Sequence, residues 1–113
     1  MYTLAIENSV DVPVKFTLKQ GKVNKSFAFT LSCTRLEQDE IFSRLKALEY
    51  KLPDFLQSEG VIFGWSDQRL VLDAQGEPAA FSADALAMLL SPPGVSKVVY
   101  DAYLKDCGAK EKN

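Results

Sequence analysis

At 113 residues, the chain is the length of one domain with a modest core. Its 47% hydrophobic and 25% charged residues are ordinary for a globular protein, and no apolar run approaches the roughly 18 residues of a membrane span. A formal charge of −2 does not supply the basic field that nucleic-acid backbones require, and the lack of any histidine removes the commonest general base and metal ligand.

The opening MYTLAIENSVDVP has no basic stretch leading into an apolar one, so it does not read as a secretory signal, and a cytoplasmic protein is expected. A short strand around residues 2–6 is expected to join a sheet. Residues 10–33 then alternate with period two. Val10, Val12, Val14, Phe16 and Leu18 share one strand face, and Val23, Phe27, Phe29, Leu31 and Cys33 share the next. Pairing about a Gln20-Gly21 turn sets Leu18 opposite Val23, Val14 opposite Phe27 and Val12 opposite Phe29. Lys25 opposite Phe16 is the one discord, and Pro13 belongs on an edge strand.

The period then changes. Thr34 and Glu37 have the spacing of a capping box, and Ile41, Leu45, Leu48 and Leu52 form one apolar helical stripe. A first helix is predicted over 35–52, continuing past Pro53 to about 58. Two short apolar runs, 61–65 and 69–72, suggest a small hairpin or extended passage, and DAQGEP is a turn with Gly76 suited to positive φ. Ser82 caps a second helix over 83–90, with Phe81 and Leu86 as a hydrophobic staple and Asp84 in its first turn. A third helix covers 95–107 and stops at Gly108. The expectation is α+β: a small antiparallel sheet over about 2–33 followed by three helices. One domain spans the chain, in which residues 1–33 form the hairpin region, residues 34–108 the helical region and residues 109–113 a solvated tail.

The search for chemistry is sparse. Asp67, Asp73 and Glu77 lack calcium-loop spacing and read as turn formers. Cys33 has no histidine partner and sits on an apolar strand face, so a buried core thiol is expected, and Cys107 reads as a bystander. The spacing of the two cysteines suggests neither a metal site nor a disulfide framework, and the glycines form no phosphate-cradling loop. No catalytic, cofactor-binding or metal-binding residue is therefore assigned. Lys15, Lys19, Lys22 and Lys25 make a basic run around the hairpin tip, with no acid between Asp11 and Glu37. It reads first as an edge guard, and otherwise as a contact for an acidic protein partner. Trp65 reads as a largely buried anchor between the sheet and helical halves, with Phe63 and Phe81 clustered near it.

In order along the chain stand Thr34-Arg35, Gly64-Trp65, Gly76 to Pro78, Phe81-Ser82, Ala102 to Leu104 and Lys112-Asn113. Over about 30–113 this pattern resembles the tail assembly chaperones of long-tailed bacteriophages and prophages. The resemblance implies a non-catalytic, cofactor-free protein of the host bacterial cytoplasm, absent from the finished virion. It implies binding to the helical tape measure protein, which is kept soluble, and recruitment of tail tube subunits, in some relatives through a frameshifted longer form. Neither nucleic acid nor membrane is an expected partner. Met88, Tyr100, Tyr103 and Leu104 exceed what one core-facing stripe needs, so they are the expected contacts for partner helices or for a second copy. The rival readings are a structural tail completion or connector subunit and a small carboxylate enzyme.

Overall fold

The computed structural model describes residues 1–110, so residues 111–113, which hold most of the predicted tail and Lys112-Asn113, lie outside them. The element order is β1 (Ser9–Gln20), β2 (Val23–Thr34), α1 (Gln38–Ala47), α2 (Leu52–Leu56), β3 (Ile62–Ser66), α3 (Ala83–Leu89) and α4 (Val95–Cys107). The fold is α+β, with a three-stranded antiparallel sheet in the order β1-β2-β3.

The β1–β2 hairpin keeps its predicted faces but not its predicted register. Gln20 pairs with Val23, Phe16 with Phe27, Val14 with Phe29 and Val12 with Leu31. The turn is Gly21-Lys22, because Gly21 adopts a φ of 62° as the first central residue of the two-residue turn. The displacement is two residues, so each side chain stays on its expected face. Lys25 stands opposite Leu18 rather than Phe16, and its ammonium lies 5.6 Å from the Phe27 ring centroid. Beside a two-residue turn the flanking pair exchanges both backbone hydrogen bonds, so alternate β1 residues, Pro13 among them, turn their backbone to the open edge. No strand forms at residues 2–6, which are exposed. The Asn8 carbonyl accepts a bond from the Arg35 N–H, which leads the chain directly into β1 without the reversal that a further strand requires.

The first helix is shorter and later than its pattern suggests. Thr34 does not cap it: Thr34 ends β2, its N–H donates to Val61 O at 2.9 Å and its carbonyl accepts from the Tyr103 hydroxyl at 2.7 Å. Glu37 holds the cap position without a side-chain cap bond. After Ala47 the chain breaks, with Glu49 and Tyr50 at φ of 56° and 60°. Pro53 cannot donate to a preceding turn, so the helix restarts as α2 with proline in its first turn, where no donor is missed. Four helices therefore stand where three were expected among the described residues. Leu48 and Leu52 fall on different axes and are only half-buried, while Ile41 and Leu45 are buried. Arg44 bridges the break, donating to Glu40 at 3.0 Å, to Ser58 Oγ at 3.2 Å and to Glu59 O at 2.6 Å.

The 61–65 run does not make a local hairpin. It forms β3 beside β2, with a bulge between Ser32 and Cys33 that leaves Phe63 unpaired and exposed while Ile62 faces the core. Trp65 pairs with Leu31 on this edge strand and is half-buried, less than expected, because no further strand covers it. It still joins the two halves. Its indole N–H donates to Ala79 O at 3.2 Å, and its ring meets Phe81 edge-on at 5.1 Å. Asp67, at a φ of 64°, takes the chain off the sheet. Buried Gln68 then organises the passage: its amide donates to Val71 O and Ala79 O at 2.9 and 3.1 Å, and its oxygen accepts from Val71 N at 2.9 Å. The α3 start is as read, since Ser82 Oγ accepts from Ala85 N at 3.0 Å. The α4 helix has its predicted bounds, and Gly94 supplies the left-handed backbone before it.

The core lies between one sheet face and the helices. Val12, Val14, Phe29, Leu31 and Cys33 meet Val95, Val99 and Tyr103 of α4, with Phe55, Leu56, Leu86 and Leu89 closing the cluster. Phe55 packs edge-on against Tyr100 at 5.8 Å and Tyr103 at 6.2 Å. The other sheet face carries Lys15, Thr17, Ser26 and Ala28, all exposed.

Candidate protein-docking site

The candidate acids do not converge on one site. Asp73 Oδ1 accepts from Gln75 N at 2.9 Å and Glu77 N at 3.0 Å, so the carboxylate closes the turn in which Gly76 takes a φ of 78°. Leu72 and Pro78 bridge at the base of that turn. Among the described residues no group of three or more His, Cys, Asp or Glu is placed to hold a metal ion, and no helix is long and apolar enough to cross a membrane.

The partner-contact candidates divide. Tyr103 is a correction: it is fully buried, and its hydroxyl bridges two segments of the chain. It donates to Thr34 O at 2.7 Å and accepts from Leu36 N at 3.2 Å. Helical spacing places it on the stripe toward the sheet, so no partner reaches it. Met88 is 61% exposed on α3, apart from the others. Lys15, Lys19 and Lys22 are exposed on the hairpin. Tyr100 and Leu104 line an open groove of about 460 Å³ between α1 and the C-terminal half of α4, together with Leu36, Ile41, Phe42 and Cys107.

That groove is built by the same contacts that end β2. The Tyr103 hydroxyl ties residues 34–36 to α4, and the Arg35 guanidinium donates to Cys107 O at the helix C-terminus, where a cation is favoured. Arg35 Nε is buried without a partner among the described residues. Leu36 is thereby fixed as one wall. Phe42 is 57% exposed at the rim and Leu104 38%, while Tyr100 is braced from beneath by Phe55. Exposed Glu37 and Asp39 flank the lining residue Gln38, and Glu40 is paired with Arg44 at 3.0 Å. An apolar trough whose only polar side chains among the described residues are those of Gln38 and Tyr100 suits a protein side chain or helix better than bond-making chemistry. Phe42 is the contributor that pattern reading missed. Its signal was in the sequence, since a phenylalanine directly after Ile41 falls off the core stripe.

Cys33 is buried as expected, and burial pushes its thiol up to about 12. Cys107 sits half-buried in the groove wall, where burial raises its pKa against the opposing charge of Arg35. Because the thiolate is the nucleophile, iodoacetamide should modify Cys107 in the folded chain severalfold more slowly than a thiol in a short peptide, and leave Cys33 intact until urea is added. Mass spectrometry of timed samples checks this, and faster-than-peptide labelling of Cys107 contradicts it.

Comparison of the chain with protein-family models, with curated proteins and with solved structures returns no match.

Proposed function

We propose that this chain is a non-catalytic tail assembly chaperone of the long-tailed phage type, acting in the host bacterial cytoplasm. In this reading it binds apolar helical stripes of the tape measure protein, keeps that protein soluble and helps gather tail tube subunits around it. The observation that carries the reading is the α1–α4 groove, whose rim residues Phe42 and Leu104 are exposed apolar side chains on a rigidly braced base. Long apolar helical surfaces associate promiscuously until they are covered, and a shallow apolar trough offers weak, repeatable cover. The motif order from Thr34-Arg35 to Leu104 supports the same reading.

The test is co-expression and pull-down with a phage tape measure protein. Phe42→Asp and Leu104→Asp alter exposed positions, so both variants should fold. Each should weaken capture by about 2 kcal/mol, or about thirtyfold, as expected for loss of an apolar anchor. Folded variants that keep the tape measure protein soluble as well as wild type overturn the assignment. Mass spectrometry of purified particles distinguishes the chaperone, which should be absent, from a tail connector, which should be present.

A further inference from the structure

A second apolar surface is left over at the other end of the molecule. The β1 and β2 strands, 12 residues each, extend roughly 40 Å. The 13-residue α4 against which the hairpin packs covers only about 20 Å. Helical cover reaches Phe16 and Leu18, which meet Pro93, Val95 and Val98 at the start of α4. Phe27 stands half-buried beside Phe16, and beyond Leu18 on the same sheet face Val23 is 67% exposed. Lys25 on that face and Lys22 in the turn flank this apolar tip, Lys15 and Lys19 stand on the opposite sheet face, and none of the four pairs with an acid among the described residues.

The tip is thus apolar and basic, while the groove is lined by apolar residues and Gln38, whose chain neighbours Glu37 and Asp39 are exposed and in no ion pair among the described residues. The two surfaces sit at opposite ends of α4, because the tip meets its first residues and the groove is formed by Tyr100, Leu104 and Cys107 near its last. One chain therefore does not fill its own groove. We infer that the hairpin tip of one copy docks in the α1–α4 groove of a second copy, so that the protein assembles head to tail. Tip-to-tip contact is opposed by Lys22 and Lys25 facing their own copies, and groove-to-groove contact by the acids Glu37 and Asp39 brought near their own copies. A heterologous contact leaves one tip and one groove free in every dimer, so growth continues until a ring closes or an open chain forms.

The inference reaches beyond client binding and does not depend on it. The same groove takes the client helix in the reading above, so the test uses the chain alone. Sedimentation velocity of wild type should show an average mass that rises with concentration at low salt and falls at high salt. Lys22→Glu with Lys25→Glu, and separately Glu37→Lys with Asp39→Lys, should each weaken self-association about tenfold or more. An equimolar mixture of the two double variants should associate again, since each supplies the opposite charge to the other. All four positions are exposed, and circular dichroism confirms folding; Val23→Asp at the tip provides an independent loss of association. Wild type that stays monomeric at every concentration, or a mixture that stays as monomers, overturns the inference. Either result leaves the effect of Phe42→Asp on client capture standing.

Discussion

Replacing Tyr103 with alanine should destabilise the chain by about 4 kcal/mol, within the range for truncating a buried aromatic ring. The ring is fully buried against Phe55 at 6.2 Å, and the cavity left behind lies at the junction of sheet, α2 and α4. The hydroxyl contributes separately. Tyr103→Phe keeps the ring but leaves Thr34 O and Leu36 N without their partner, a loss of about 1–3 kcal/mol. Against a total stability of roughly 5–15 kcal/mol for a domain, the alanine variant has little margin left. Urea denaturation followed by Trp65 fluorescence measures both. The groove supplies a second readout, since Tyr103 holds Leu36 in its wall. Tyr103→Phe, although folded, should bind a client helix more weakly than wild type. An alanine variant that loses less than about 1 kcal/mol contradicts the central position given to this side chain.

Tyr103 also marks the limit of what the sequence discloses. Helical spacing puts it on the α4 stripe, yet the surplus of apolar residues there casts it as a partner contact; the α4 bounds, the Ser82 cap, the Gly76 turn and the two hairpin faces are legible. These are local properties, set by capping, by φ or by period. The hairpin register is not, because the Gln20-Gly21 and Gly21-Lys22 turns leave every side chain on the same face, and only the glycine φ separates them. The Thr34–Glu37 box is a genuine local signal overridden by tertiary structure: the Thr34 backbone serves β2, Val61 and Tyr103 instead. The β3 pairing joins residues with α1 and α2 between them, and no short-range pattern records it. The docking site is half legible for the same reason. Tyr100 and Leu104 are visible as surplus apolar residues on one helix, but their meeting with Phe42 depends on how two helices pack.

The hairpin tip has a plain physical origin. A chain of 113 residues makes two 12-residue strands, and its helices cover only a portion of them. The apolar residues left over at the hairpin end, Val23 above all, are flanked by Lys22 and Lys25. Pro13 at the open edge of β1 and the lysines beside it oppose strand addition there. Partners are thus directed to side-chain surfaces rather than to backbone, which favours reversible contact over strand addition.

The same burial that fixes the core should make the fold sensitive to alkali. Burial raises the Cys33 thiol from 9.0 to about 12, and it also raises Tyr103, Cys107 and Tyr100. In the unfolded chain the Cys33 thiol is hydrated and ionises near its ordinary value. Above that value the unfolded state has released the proton while the folded state retains it, so rising pH draws the equilibrium toward unfolding. The contribution is complete below pH 9.0 and is lost as pH climbs to about 12. Cys33 alone accounts for roughly 4 kcal/mol across that window. Urea midpoints should therefore be level around neutral pH and fall steeply above about pH 9. Cys33→Ala should cost about 1 kcal/mol at neutral pH through lost packing, yet show a shallower alkaline fall, because the thiol no longer titrates. The tyrosines keep some slope in the variant. An alkaline fall of equal steepness in wild type and Cys33→Ala would remove Cys33 from this role.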